Sequence, residues 1–190
     1  TNFSDINDLD SVIKTFKKIK PDIIFHLAAQ PLVPKSYKDP ISTFKTNSIG
    51  FANILEALRI YNKSITAVMI TSDKVYRNDE RKKGYKETDV LQGMDPYSAS
   101  KSCAEIIFSS YYNSYFKKSR MKLATGRAGN VIGGGDWADN RIIPDIVKSI
   151  NLKKKLIIKN PQSTRPWQHV LEPLSGYLLL GYNLNLKKKS

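Results

Sequence analysis

Two short segments of this 190-residue chain hold residue types able to move protons on a hydroxylated carbon. The first, Thr71-Ser72-Asp73-Lys74-Val75-Tyr76, supplies hydroxyls, a carboxyl group, an amine and a phenol. The second, Tyr97-Ser98-Ala99-Ser100-Lys101, pairs a phenol with an amine. Side chains four positions apart share a helix face, so a Lys101 ammonium would favour the Tyr97 phenolate and make it a usable base near neutral pH. The spacing alone says little: with 24 lysines and 10 tyrosines in 190 residues, about one such pair arises by chance on ordinary helical surfaces. Its weight comes from the first segment. Ala67-Val68-Met69-Ile70 reads as a short buried parallel strand, and ligands of open α/β sheets bind just beyond the carboxyl ends of strands, where Thr71 to Lys74 fall.

The elements that must position these groups are legible in the hydrophobic spacing. Leu9, Val12, Ile13, Phe16 and Ile19 form a helical stripe over 8–19, which Pro21 breaks before a strand at Ile23-Ile24-Phe25. A long helix over 42–61 carries Phe44, Ile49, Ala52, Leu55, Leu58 and Tyr61, and the strand 67–70 follows. Beyond a polar loop over 77–94, Pro96 opens a helix to Phe116 with an aromatic face of Phe108, Tyr111, Tyr112, Tyr115 and Phe116. Leu123 to Ala128 reads as the next strand. A loop with Gly133-Gly134-Gly135, a helix beginning near Pro144, a strand at Leu156-Ile157-Ile158 and an apolar helix from Leu171 to Leu180 complete the pattern. Alternating strands and helices without repeats predict an α/β protein with a doubly wound parallel sheet.

Composition narrows the function. The chain is 41% hydrophobic, enough for a core, and its lone Cys103 lies in an apolar helical stretch, which predicts a small packed hydrophobe in a reducing, cytoplasmic setting. The net charge of +14 sits on scattered lysines and short clusters (Lys82-Lys83, Lys117-Lys118, 153–155, 187–189). No interleaved aromatics or nucleic-acid motif accompany them, so solvated faces are expected and no nucleic-acid partner. No apolar run is long enough for a transmembrane helix, and no membrane partner is expected. The glycine triplet is followed by Asp136 and Trp137 and lacks Gly-x-Gly-x-x-Gly spacing, which speaks against a phosphate loop. His26 ends a strand and His169 sits in a loop; neither has a metal-ligand neighbour, and both are read as structural, with no metal expected.

Five strings carry a resemblance that covers essentially the whole chain: residues 26–33 (HLAAQPLV), 71–76 (TSDKVY), 95–101 (DPYSASK), 127–137 (RAGNVIGGGDW) and 164–177 (TRPWQHVLEPLSGY). The chain resembles the extended short-chain dehydrogenase/reductase superfamily, also called the NAD-dependent epimerase/dehydratases, and within it the CDP-glucose branch of the nucleotide-sugar 4,6-dehydratases. Lys74 is the discriminating residue, because the dTDP-glucose and GDP-mannose branches place Glu after the Asp. The resemblance implies a Rossmann-like fold, a bound NAD cofactor, and CDP-glucose oxidised at C4, dehydrated across C5 and C6, then reduced at C6 for deoxysugar and lipopolysaccharide assembly. It implies that Tyr97 with Lys101 and Ser72 serves C4, that Asp73 protonates the departing C6 hydroxyl, and that neutral Lys74 takes the C5 proton. Cofactor contacts are expected from Asp5, Ile6, Ala28, Ala29, Gln30, Asn47, Tyr97 and Lys101, and substrate contacts from Asn130, Arg141 and Arg165, with Trp137 a weaker candidate. A homodimer through the helices 42–61 and 97–116 is expected as well.

On this reading residues 1–150 form the NAD-binding region, and 151–190 form part of a substrate-binding region interleaved with it. The dinucleotide fingerprint Gly-x-x-Gly-x-x-Gly is not in the sequence, so the chain is expected to be a piece of a longer protein and inactive by itself. Two alternatives stay open. One is a remnant without cofactor affinity; the other is an NAD-dependent sugar-nucleotide epimerase or reductase, which would keep Tyr97 and Lys101 but need neither Asp73 nor Lys74.

Overall fold

Three aspartates start three helices by the same chemistry. Asp8 caps α1 (Leu9–Ile19) by accepting a hydrogen bond from Ser11 N at 3.1 Å, Asp39 caps α3 (Pro40–Phe44) through Ser42 N at 3.1 Å, and Asp95 caps α5 (Pro96–Tyr111) through Ser98 N at 3.0 Å. Each acceptor satisfies a backbone donor that the first helical turn leaves open, and the prolines at 40 and 96 sit where no such donor is needed. Lys20 ends α1 at φ 51° and Asn62 ends α4 (Phe51–Tyr61) at φ 48°, both in the left-handed region. The computed structural model describes residues 4–158 and 160–186; the lysine cluster 187–189 lies outside them.

The helix expected over 42–61 begins two residues earlier and is not uniform. Between α3 and α4 a π-helical stretch runs from Lys45 to Gly50, and a second, Tyr112–Phe116, extends α5. Such wide turns are rare and frequent at functional sites. A short helix α2 (Val33–Lys38), with Pro34 in its first turn, was not anticipated. Its entry residue Leu32 offers no side-chain cap, so the usual start signal is missing.

Three parallel strands, β1 (Ile23–His26), β2 (Thr66–Ile70) and β3 (Lys122–Gly126), lie in the order β1-β2-β3, with Phe25 opposite Val68 and Val68 opposite Ala124. Successive side chains on β2 point to opposite faces. Ala67 and Met69 join Phe51, Leu55, Leu58, Ala104, Phe116 and Leu123 in one core with α1, α4 and α5. Val68 faces the other way, where a methyl group added at Gly181 of α7 (Leu171–Leu186) would meet Phe25 and Val68 at 3.4 and 3.5 Å. Helices therefore cover both sheet faces, as the doubly wound reading predicts. No helix among the described residues is long and apolar enough to cross a membrane.

The chain forms two compact units: one holds residues through Ala128 and again from Gly176, the other Gly129–Ser175. Residue 150, the division suggested by the sequence, lies inside the second unit, at the end of α6 (Ile142–Asn151). The second unit pairs two parallel strands, β4 (Asn130–Ile132) and β5 (Trp167–His169). The expected strand at Leu156-Ile157-Ile158 does not form. These residues are irregular and Ile157 is 80% exposed, because β5 takes the place beside β4.

Candidate active site

The site is built where β2 ends. Thr71 N donates to Gly126 O at 2.9 Å and Asp73 N to Ala128 O at 3.0 Å, so the chain leaving β2 stays fastened to the end of β3. Ser72 then caps a single 3-10 turn, Asp73–Val75: its Oγ accepts from Lys74 N at 3.2 Å and donates to Asp73 Oδ1 at 3.1 Å. Ser72 is buried, whereas Asp73 and Lys74 are half-buried.

α5 packs against this turn and against the loop that follows it. Ser102 Oγ lies 2.8 Å from Val75 O, to which it donates, and accepts from Gly93 N at 2.9 Å. A Cβ at Gly93 would fall 2.2 Å from the Ser98 carbonyl carbon, so only glycine permits this approach to the first turn of α5. The loop over 77–94 is closed at its base by Arg77 N to Val90 O and Gln92 N to Val75 O, both 2.9 Å.

Tyr97 and Lys101 lie on the inner side of α5, 9% and 5% exposed. Lys101 Nζ donates to Ile70 O at 3.4 Å, which sets the ammonium against the last residue of β2. Burial pulls the Lys101 pKa down to about 8, and the Glu105 carboxylate opposes that fall. His26, at the end of β1, is held down to about 4 by burial and then by the Lys101 charge; it is a neutral ring packed edge-on to Phe51 at 5.5 Å. Tyr177 was not picked out for the site from sequence. Its ring lies over Gly126, where an added Cβ would meet it at 3.1 Å, and its phenol pKa is raised by burial and by the nearby Tyr97.

At the end of β1 the residues expected to meet a cofactor are joined to this helix. Asn47, in the π-helical stretch and 2% exposed, accepts from Gln30 N at 2.8 Å and donates to Gln30 O and to Ser100 Oγ, each at 3.0 Å. Ser100 Oγ in turn donates to Tyr97 O at 2.7 Å. Both amide hydrogens of Asn47 are thus engaged within the chain. Ala28 is exposed, Ala29 half-buried and Gln30 buried. Asp5 is exposed, and Ile6 is pinned to the same long helix: Asn53 Nδ2 donates to Ile6 O at 2.9 Å, and the Ile6 side chain fills the space above Gly50.

A buried acid missed in the sequence holds these parts together. Glu105, one helical turn beyond Lys101 and 4% exposed, accepts from Thr71 Oγ1, from Thr125 Oγ1 at 3.1 Å, and from Arg127 Nε at 2.9 Å and Nη2 at 2.7 Å. Arg127 also donates to Tyr76 OH at 2.8 Å and stacks over that ring, and its guanidinium pKa is raised chiefly by the Glu105 hydrogen bonds. The signal was present as a Glu four positions after Lys101, but that spacing reads as an ordinary exposed pair.

The three candidate substrate residues belong to the second unit. Asn130 opens β4 opposite Trp167, and its buried Oδ1 has no partner among the described residues. Arg165 is exposed two residues before β5, and Arg141, which precedes α6, pairs with Asp136 at 3.2 Å. Gly129 lets Pro166 approach where a Cβ would sit 2.8 Å from its ring, which holds the Arg165 segment beside β4. Trp137 is 57% exposed.

The CDP-glucose 4,6-dehydratase of Salmonella typhimurium is 47% identical over 189 residues, which span 97% of this chain and 53% of that protein. The UDP-glucose 4-epimerase of Thermus thermophilus, solved as a complex with NAD, superposes with a TM-score of 0.78 at 26% identity over 93% of this chain and 58% of its own. A dTDP-glucose 4,6-dehydratase from Streptomyces venezuelae shares the fold alone, with a TM-score of 0.82 at 21% identity over 94% of this chain and 53% of its own. The chain spans about half the length of the curated relatives it matches. The pattern that defines the GDP-mannose 4,6 dehydratase family matches residues 2–181, and with the parallel sheet and the Tyr97–Lys101 helix beside its strand end, the chain belongs to that family.

Proposed function

We propose that the full-length protein is an NAD-dependent 4,6-dehydratase converting CDP-glucose to CDP-4-dehydro-6-deoxyglucose. The observation that carries this reading is the packing of the Ser72-Asp73-Lys74 turn on the helix that presents Tyr97 and Lys101. Lys at 74, and the 47% identity to the Salmonella enzyme, support CDP-glucose as the nucleotide sugar.

The residues at the ends of β1 and β2 suit a dinucleotide. Parallel strands end there, Ala28 is exposed and adds only a methyl group, and Lys101 carries three donors, one of them directed at Ile70 O. Asp5, Ile6, Ala28, Ala29, Gln30, Tyr97 and Lys101 would hold it, with Asn47 fixing Gln30 from behind. When bound, NAD supplies the hydride acceptor for C4 and the donor that returns the hydride to C6.

The chain's own groups handle the protons. The Tyr97 phenolate, favoured by the Lys101 ammonium, accepts the C4 hydroxyl proton while Ser72 Oγ exchanges its bond to Asp73 Oδ1 for donation to the same oxygen. Once C4 is a carbonyl, the C5 hydrogen is acidic, and the Lys74 amine removes it. Asp73 donates to the C6 hydroxyl, so the C5–H and C6–O bonds break, C5=C6 forms and water leaves. Arg165 and Arg141 would bind the diphosphate, and the unpartnered Oδ1 of Asn130 would accept from the substrate. The protein is read as cytoplasmic and homodimeric; for the dimer, Ile41, Ile49 and Ile106 are exposed along an apolar groove formed by α3, the π-helical stretch Lys45–Gly50 and α5, which also includes Phe44, Cys103 and Ile107.

The experiment is to supply the full-length protein with CDP-glucose carrying deuterium at C4. The product should be a 4-keto-6-deoxy sugar labelled at C6. A 4-epimer with its label back at C4 would establish the epimerase reading instead.

A further inference from the structure

We propose that Glu105 is a positioning residue for the dehydratase reaction: one buried carboxylate holds the ends of β2 and β3 in register with the helix that presents Tyr97 and Lys101. The inference rests on the dehydratase reading of the site. Thr71, which donates to Glu105, immediately precedes Ser72-Asp73-Lys74, so this bond sets where the acid and the amine stand along α5. Thr125 of β3 and Arg127 just beyond it donate to the same carboxylate, the arginine through two nitrogens. Sliding α5 by one residue would break all four bonds at once. A bidentate pair with a side chain this buried is geometrically demanding, which suits a registration role.

Charge adds a second effect. His26 from β1 and Glu105 from α5 itself interact with Lys101 through charge, and the turn after β2 that packs on α5 carries Asp73 and Lys74. Among them Glu105 is the group that raises the Lys101 pKa against the pull of burial. It therefore favours the ammonium form, the state that in turn favours a Tyr97 phenolate.

The test compares the full-length protein with Glu105→Gln, Glu105→Asp and Thr125→Val, using CDP-glucose turnover and the titration of a 15N-labelled Lys101 side chain without substrate. Glu105→Gln should lower kcat about a hundredfold with KM within about threefold, as expected for a small misplacement of catalytic groups. It should also move the basic limb of the pH profile, and the Lys101 titration, to lower pH. Glu105→Asp keeps the charge and should restore both pH readouts while recovering kcat only in part. Thr125→Val leaves the Arg127 pair intact and serves if Glu105→Gln does not fold; about a fivefold loss in kcat at unchanged KM is expected from one hydroxyl. A lower melting temperature with kcat, pH limb and Lys101 titration all unchanged would make Glu105 scaffolding and overturn the proposal. If the wild type leaves CDP-glucose untouched while Glu105→Gln still lowers the Lys101 titration, the dehydratase reading fails and the coupling of Glu105 to Lys101 stands.

Discussion

Asn47 and Gln30 are joined by a reciprocal pair of hydrogen bonds, Gln30 N donating to Asn47 Oδ1 at 2.8 Å and Asn47 Nδ2 donating to Gln30 O at 3.0 Å. One side chain thus satisfies both backbone groups of a buried residue four positions beyond β1, and its remaining hydrogen reaches Ser100 on the Tyr97 helix. Asn47→Leu should strand both Gln30 groups, at a cost of about 3 kcal/mol, whereas Ser100→Ala should cost about 1 kcal/mol. Urea midpoints of the full-length protein check this, and equal losses in the two variants would contradict it.

The proton-transfer roles predict different stopping points. Lys74→Ala and Tyr97→Phe should each lower turnover by about 10²- to 10⁴-fold, the usual worth of general acid–base groups. In deuterium oxide the wild-type product should gain solvent label at C5, where a proton is removed and later replaced. Lys74→Ala should slow product formation and C5 exchange together, and Tyr97→Phe should slow removal of a C4 label. Near-normal turnover by Lys74→Ala would remove Lys74 from the chemistry.

His26 gives the fold a pH dependence of known sign. Its folded pKa is lowered from 6.5 to about 4, so the unfolded chain binds the proton more readily. The stability contribution is complete above pH 6.5 and is lost as pH falls toward about 4. The full effect is on the order of 3 kcal/mol at 1.36 kcal/mol per pKa unit. Melting temperatures measured between pH 7 and pH 4 (roughly the window of this shift) should fall more steeply for wild type than for His26→Leu, and parallel curves would refute the assignment.

Assembly is testable through the apolar strip. Ile49 and Ile106 are 54% and 56% exposed, and a charge on either would oppose burial against a second copy. Ile49→Glu and Ile106→Glu should convert a homodimer to a monomer by light scattering while leaving the circular dichroism spectrum intact. A monomeric wild type at micromolar concentration would end the dimer proposal.

Sequence by itself determined what depends on near neighbours. The aspartate caps, the prolines after Asp39 and Asp95, the apolar spacing of α1 and β2, and the shared face of Tyr97 and Lys101 all arise from interactions spanning a turn or two of chain. The placement of Ser72-Asp73-Lys74 just beyond a strand end was legible for the same reason, since a short apolar run precedes it. Only the tertiary structure decided the rest. Glu105 meets Arg127 from 22 residues away, and Asn47 meets Ser100 from 53. A charged or amide side chain in a helical pattern reads as solvated because such residues are seldom buried without partners, and the partners here lie on other elements. The strand beside β4 was decided in the same way: Trp167–His169 pairs with it while the more apolar Leu156-Ile157-Ile158 stays irregular, because a backbone ladder needs a partner strand in register as well as apolar side chains.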